Sequence, residues 1–134
     1  MTKKELCELA IKAAENSYSP YSNCKVGAAL LTKDEKVYLG CNVENASFSP
    51  TVCAERTAFF KAISDGERKF SMIAVVGITN GKINPDFLPC GVCRQVMAEF
   101  CDGDFVILNV KNESEYNEYT LSQLLPYSFS KAAL

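Results

Sequence analysis

Histidine is absent from this chain. That removes the usual imidazole base at neutral pH and the commonest protein metal ligand. Acid–base chemistry must then come from a carboxylate, a thiol, a lysine or a metal-bound water. No apolar run approaches the roughly 20 residues of a membrane span. The opening residues, Met1-Thr-Lys-Lys-Glu-Leu6, lack the apolar stretch of a secretory signal, so a cytoplasmic protein without a membrane partner is expected. There is no excess of basic charge either. A net charge of -2 and a pI near 5.2 leave no basic footprint for nucleic acid. The cysteines are too sparse for a disulfide scaffold. Seven in 134 residues, an odd number, read as thiols or metal ligands of a reducing compartment. No repeat, linker or low-complexity segment divides the chain, and residues 1–134 form one domain with room for a real core.

What is present alternates between helical and strand patterns. Thr2 and Glu5 fit a capping box, and Leu6, Leu9, Ala10 and Ala13 predict a helix over 3–17. Residues 26–32 and 36–41 read as strands joined by a short hairpin over 33–35. The small run Gly27-Ala28-Ala29 predicts a close neighbour. After the irregular stretch 42–50, a second helix is predicted to start near Ser49 or Thr51 and to end before Gly66, with Val52, Phe59, Phe60 and Ile63 as its core face. Residues 70–78 form a continuous apolar run suited to a central strand. Residues 79–88 read as a loop. A third helix over 90–101 has Val92, Val96, Met97 and Phe100 at core spacing, and 104–110 reads as another buried strand. Residues 117–120 suit a short edge strand and 121–125 a last short helix. The expected fold is a three-layer α/β/α sandwich around a mixed sheet of about five strands.

The chemistry lies in two stretches, Thr51-Val-Cys-Ala-Glu-Arg56 and Pro89-Cys-Gly-Val-Cys-Arg-Gln95. Taken alone, Cys90-x-x-Cys93 could be a redox pair, half of a structural zinc site or two core cysteines. Three features favour a catalytic metal. Pro89 precedes the pair and helical pattern follows, so both sulfurs sit in a first turn, where the helix dipole favours thiolate. Cys53 occupies a similar place on another helix. Arg56 and Arg94 follow the thiols and could offset the charge of -1 that three thiolates leave on a zinc ion. Three protein ligands with an open fourth position are what catalytic zinc requires. Glu55 would stand beside that position as general acid and base, although a first-turn glutamate also simply favours the helix dipole.

Cys-x-Glu followed by Pro-Cys-x-x-Cys resembles the small zinc-dependent cytidine deaminases of homotetrameric type. The likeness extends over nearly the whole chain, through Ser19-Pro-Tyr-Ser22, Val26-Gly-Ala-Ala-Leu-Leu31, Gly40-Cys-Asn-Val-Glu-Asn-Ala46, Cys53-Ala-Glu-Arg-Thr-Ala58, Pro89-Cys-Gly-Val-Cys-Arg-Gln95 and Leu124-Leu-Pro126. The resemblance implies that Cys53, Cys90 and Cys93 bind Zn²⁺. It implies that zinc-bound hydroxide attacks C4 of the cytosine ring while Glu55 shuttles protons to N3 and to the departing amino group. Cytidine and deoxycytidine would become uridine and deoxyuridine with release of ammonia, as in pyrimidine salvage. It further implies that Asn42 and Glu44 hold the ribose hydroxyls, and that Ala46, Phe48 and the backbone of Ala54 form pocket wall. Arg56 and Arg94 would support the thiolates. Phe129 would reach a neighbouring subunit's site, unless it packs on its own core. Two positions depart from the pattern. Cys24 stands before Lys25, where the family often has a phenylalanine against the base, and Phe48 stands where a tyrosine is common.

The Asn42/Glu44 pair favours a free ribose-bearing nucleoside over blasticidin, the substrate of a related deaminase type. A non-catalytic structural zinc protein would need a fourth ligand, for which Cys41 or Cys101 is available. Otherwise Cys7, Cys41 and Cys101 fit core positions.

Overall fold

The computed structural model describes all 134 residues. Helix α1 spans Lys3–Ala14, capped by the Thr2 hydroxyl, which accepts from the Glu5 N–H. Strands β1 (Cys24–Thr32) and β2 (Val37–Cys41) form the expected hairpin. Helix α2 (Ala54–Ser64) leads to the ten-residue strand β3 (Phe70–Thr79). A two-residue strand, β4 (Lys82–Ile83), turns back onto the end of β3. Helix α3 (Gly91–Phe100), strands β5 (Val106–Val110) and β6 (Tyr116–Thr120) and the single turn α4 (Leu121–Leu124) complete the order.

The sheet runs β2-β1-β3-β5-β6, with β4 attached to β3. Only β3 and β5 are parallel; every other pairing is antiparallel. Side chains alternate strictly through its centre. Ala28, Leu30, Ile73, Val75 and Ile107 face α2 and α3, together with Phe59 and Met97. Ala29, Leu31, Ala74, Val76, Leu108 and Val110 face α1, through Leu6 and Ala10. The architecture is thus the predicted three-layer sandwich. The close neighbour of the small run is α1. A Cβ on Gly27 would lie 2.0 Å from the Ala10 carbonyl oxygen and 2.6 Å from the Ala14 nitrogen. Backbone cannot yield as a flexible side chain does. Gly27→Ala is expected to cost about 3 kcal/mol or more, the upper end of overpacking penalties. A denaturant midpoint equal to the parent's would show that α1 does not rest on β1 in this way.

Several boundaries differ from the sequence reading. Helix α1 stops at Ala14, not residue 17. Helix α2 starts at Ala54, not near residue 49 or 51, because Val52 exchanges both backbone hydrogen bonds with Val43 (2.9 and 3.0 Å) and is thereby held extended. Phe60 and Val92, expected in the core, are 49% and 58% exposed. The α2 core face is Ala54, Glu55, Ala58, Phe59 and Ala62, and Phe60 lies about 100° round the helix from Phe59. Strand β4 falls inside the predicted loop. Its turn is Asn80-Gly81, both with positive φ (53° and 73°), and that dipeptide is itself a hairpin signal.

Candidate active site

The thiol helices begin side by side on one face of the sheet. Cys53 is the N-cap of α2 and Cys90 the N-cap of α3, and neither side chain caps its own helix. Both sulfurs are therefore free to point away from the helix ends into shared space. Cys93 sits in the first turn of α3 and is buried. The three Sγ atoms lie within 4.8 Å of one another. Cys53 Sγ is 3.8 Å from Cys90 Sγ, which is 3.6 Å from Cys93 Sγ. A tetrahedron with metal–sulfur bonds of about 2.3 Å has edges of about 3.8 Å, so the donor set fits a zinc ion. The cluster contains no fourth sulfur from Cys41 or Cys101.

Charge is arranged to favour thiolate at Cys53. Its pKa falls to about 5, chiefly through a hydrogen bond from Cys93 and then through Arg56. As that donor, Cys93 is shifted the opposite way, upward. Arg56 Nη2 lies 3.3 Å from Cys53 Sγ. The two helix N-termini add positive potential.

Glu55, one turn position beyond Ala54, is only 1% exposed, and its Oε1 has no hydrogen-bond partner. Burial is the main cause that pushes its carboxyl up to about 7. A buried carboxylate oxygen without a partner costs stability wherever it serves only the fold. Here it adjoins a site shaped for a cation and for a fourth ligand, which would supply the missing partner.

The loop after β2 is organised by the residues expected to bind the sugar. Asn42 is buried; its Oδ1 accepts from the Val26 N–H (2.9 Å) and the Ser17 hydroxyl, and its Nδ2 donates to the Cys24 carbonyl at 2.8 Å. One amide N–H remains unused. Glu44 Oε1 accepts from the backbone N–H groups of Tyr21 (3.0 Å) and Ser22 (3.1 Å), and its Oε2 accepts from the Ser22 hydroxyl. The Ser22 hydrogen bond is the first cause that holds the Glu44 carboxyl below its ordinary range. One acceptor site of that carboxylate stays free. Ala46 and Phe48 lie on the exposed rim, whereas Ala54 is fully buried at the start of α2, where N–H groups have no acceptor within the helix. Phe48 has φ 62°, a left-handed conformation that is strained for a bulky side chain.

The model of the cytidine and deoxycytidylate deaminase zinc-binding region matches residues 1–109. The chain is 48% identical over its full length to the cytidine deaminase of Sporosarcina psychrophila, covering 96% of that protein. It is 48% identical over 130 residues to that of Halalkalibacterium halodurans, covering 97% of this chain and 96% of the relative. The crystal structure of the Burkholderia pseudomallei cytidine deaminase superposes with a TM-score of 0.88 at 46% identity, over 96% of this chain and 100% of that one. The chain belongs to the cytidine and deoxycytidylate deaminase family. The zinc-binding region that defines the family contains all three clustered cysteines.

One residue expected at the deaminase site has other partners. Arg94 was expected to support the thiolates. Its hydrogen bonds instead run to carbonyl oxygens, from Nε to Pro89 (2.7 Å) and from Nη1 to Leu124 (2.6 Å). Phe129 does not pack on its own core. It is 64% exposed, with only its carbonyl held, by Gln95 Nε2 at 2.8 Å. Sequence reasoning also passed over Ser17 and Ser22, which orient Asn42 and Glu44. For Ser22 the signal was Ser19-Pro-Tyr-Ser22, a matching motif with no role attached to it; Ser17 lies just outside that motif.

Proposed function

We propose that this chain is a zinc-dependent deaminase of free cytidine and deoxycytidine, with Cys53, Cys90 and Cys93 as zinc ligands and Glu55 as proton carrier. The observation that carries the reading is the sulfur triangle of tetrahedral dimensions beside a buried carboxylate with a free oxygen. The bound ion supplies a Lewis acid that brings the pKa of a water near 7. Glu55 takes a proton from the attacking water and gives it to N3 of the ring. It then takes the second proton and delivers it to the amino group on C4. Ammonia leaves and C4 keeps the oxygen as a carbonyl. A carboxyl poised near neutrality suits a group that must both take and give protons.

Asn42 and Glu44 have one donor and one acceptor left between them, which matches a sugar hydroxyl that accepts from the first and donates to the second. Ala46, Phe48 and the Ala54 backbone complete the pocket around the base. Arg56 neutralises part of the thiolate charge. The exposed Phe129 serves a neighbouring site in a homotetramer, and the enzyme acts on salvaged pyrimidine nucleosides in the cytoplasm. No helix is long and apolar enough to cross a membrane.

The deciding assay follows cytidine absorbance before and after zinc is stripped by a strong chelator. Conversion to uridine is expected to vanish with the metal and to return when zinc is restored. Light scattering on the same preparation should give four times 14.7 kDa. A zinc-loaded protein that turns over neither nucleoside overturns the reading.

A further inference from the structure

Residues 87–90, which deliver Cys90 to the thiol cluster, belong to no helix or strand. No ladder fixes their backbone, yet zinc ligands must be held to within about 0.5 Å. Two side chains grip this segment by its carbonyls. Arg94 Nε donates to Pro89 O at 2.7 Å, and its Nη1 reaches Leu124 O at 2.6 Å. Asn109 Nδ2 donates to Phe87 O at 2.5 Å. Asn109 is 2% exposed, and it stands on the face of β5 that is otherwise apolar, with Ile107 two residues before it and Val75 beside it on β3. Its Oδ1 accepts from Asn117 Nδ2 at 3.2 Å, from the residue directly opposite on β6. The Phe87 carbonyl can only accept, so it takes the Asn109 N–H, and the bond from Asn117 to Oδ1 holds the amide that way round. The Phe87 ring is seated on Gly77, where a Cβ would come within 2.6 Å of it.

We infer that Asn109 and Arg94 are positioning residues for zinc: together they hold the Phe87–Pro89 backbone so that Cys90 meets Cys53 and Cys93 at ligand distance. Asn109 ties the segment to the central sheet, and Arg94 ties it to the end of α4. Neither touches a sulfur. Their effect is on where the Cys90 backbone lies, not on the charge of the thiolates. The inference rests on the proposed zinc site.

Zinc release from the intact, zinc-loaded protein to a chromogenic chelator tests it. Asn109→Asp keeps the shape but sets an acceptor against the Phe87 carbonyl, and Arg94→Gln removes the fork. Each is expected to speed zinc release ten- to hundredfold, the range found when supporting partners of metal ligands are lost. Arg94→Lys should recover part of the loss. Val110→Ala, on the opposite face of β5, is the control for general weakening. It should lower the melting temperature without speeding release. If Asn109→Asp does not fold, Arg94→Gln decides alone. Release within twofold of the parent in folded variants overturns the inference, and so does equal acceleration by Val110→Ala at the same melting temperature. A parent protein that binds no zinc overturns the functional reading, and this inference with it. A parent that binds zinc and deaminates cytidine, with variants that release it normally, overturns this inference alone.

Discussion

Glu55→Gln is expected to abolish turnover while zinc stays bound. General acid–base catalysis contributes typically 10²–10⁴-fold. Glu55 is asked for two successive proton transfers in a chain without histidine, so no imidazole can substitute. The loss should reach the top of that range, about 10⁴-fold, or about 5.5 kcal/mol at 1.36 kcal/mol per decade. The variant should nonetheless fold well. Glutamine has the same shape, and the parent buries a carboxyl oxygen with no partner, which is an unfavourable arrangement for the fold alone. A melting temperature equal to or above the parent's is therefore expected. Initial rates on cytidine, metal analysis and a thermal melt on one preparation check all three points. More than a tenth of the parent kcat would remove Glu55 from the mechanism.

Cys53→Ala should fail in a different way, by losing the metal. Zinc bound by four ligands is worth about 10–16 kcal/mol in small zinc domains, so one ligand accounts for about 2.5–4 kcal/mol. Affinity should fall about 10²–10³-fold, with activity lost at any zinc level below saturation. Arg56 is a second casualty. Its Nη2 loses the sulfur at 3.3 Å, and its Nε is already buried without a partner. The variant should thus also be less stable than the parent, unlike Glu55→Gln. Alanine at Cys7, Cys41 or Cys101 should leave zinc at one per chain, because these thiols lie outside the cluster. Metal titration with equilibrium dialysis separates the two groups. Loss of zinc on removing Cys41 or Cys101 would restore the four-ligand structural site.

Local information carried a large part of this protein. Pro89-Cys-x-x-Cys at the start of a helical pattern, and Cys-x-Glu at another, are short-range features. A helix start exposes its N–H groups and its dipole whatever surrounds it. The strands were legible for a similar reason, since runs such as 70–78 and 104–110 are mostly apolar at successive residues and must be covered on both faces. The order of elements followed, and so did the three-layer architecture.

Tertiary structure decided everything that depends on which long-range neighbour a group meets. Val52 could have entered α2, but Val43 pairs with it and moves the helix start to Ala54. Helical spacing allowed Phe60 and Val92 in the core, yet only docking determines how far round the helix the buried stripe extends. Arg94 follows a zinc ligand and could have faced sulfur. The carbonyls of Pro89 and Leu124 are nearer its fork, and Leu124 lies 30 residues away in sequence. Asn42 had its full hydrogen-bonding capacity on paper, and the fold uses most of it on Val26, Ser17 and Cys24. Residue type and spacing thus determined which groups could do zinc and proton chemistry. Only the folded chain, by bringing Cys53 to 3.8 Å from Cys90 across 37 residues, decided which of them meet. Periodicity encodes the face a side chain takes, whereas the partner that fills its last hydrogen bond or metal position comes from another part of the sequence.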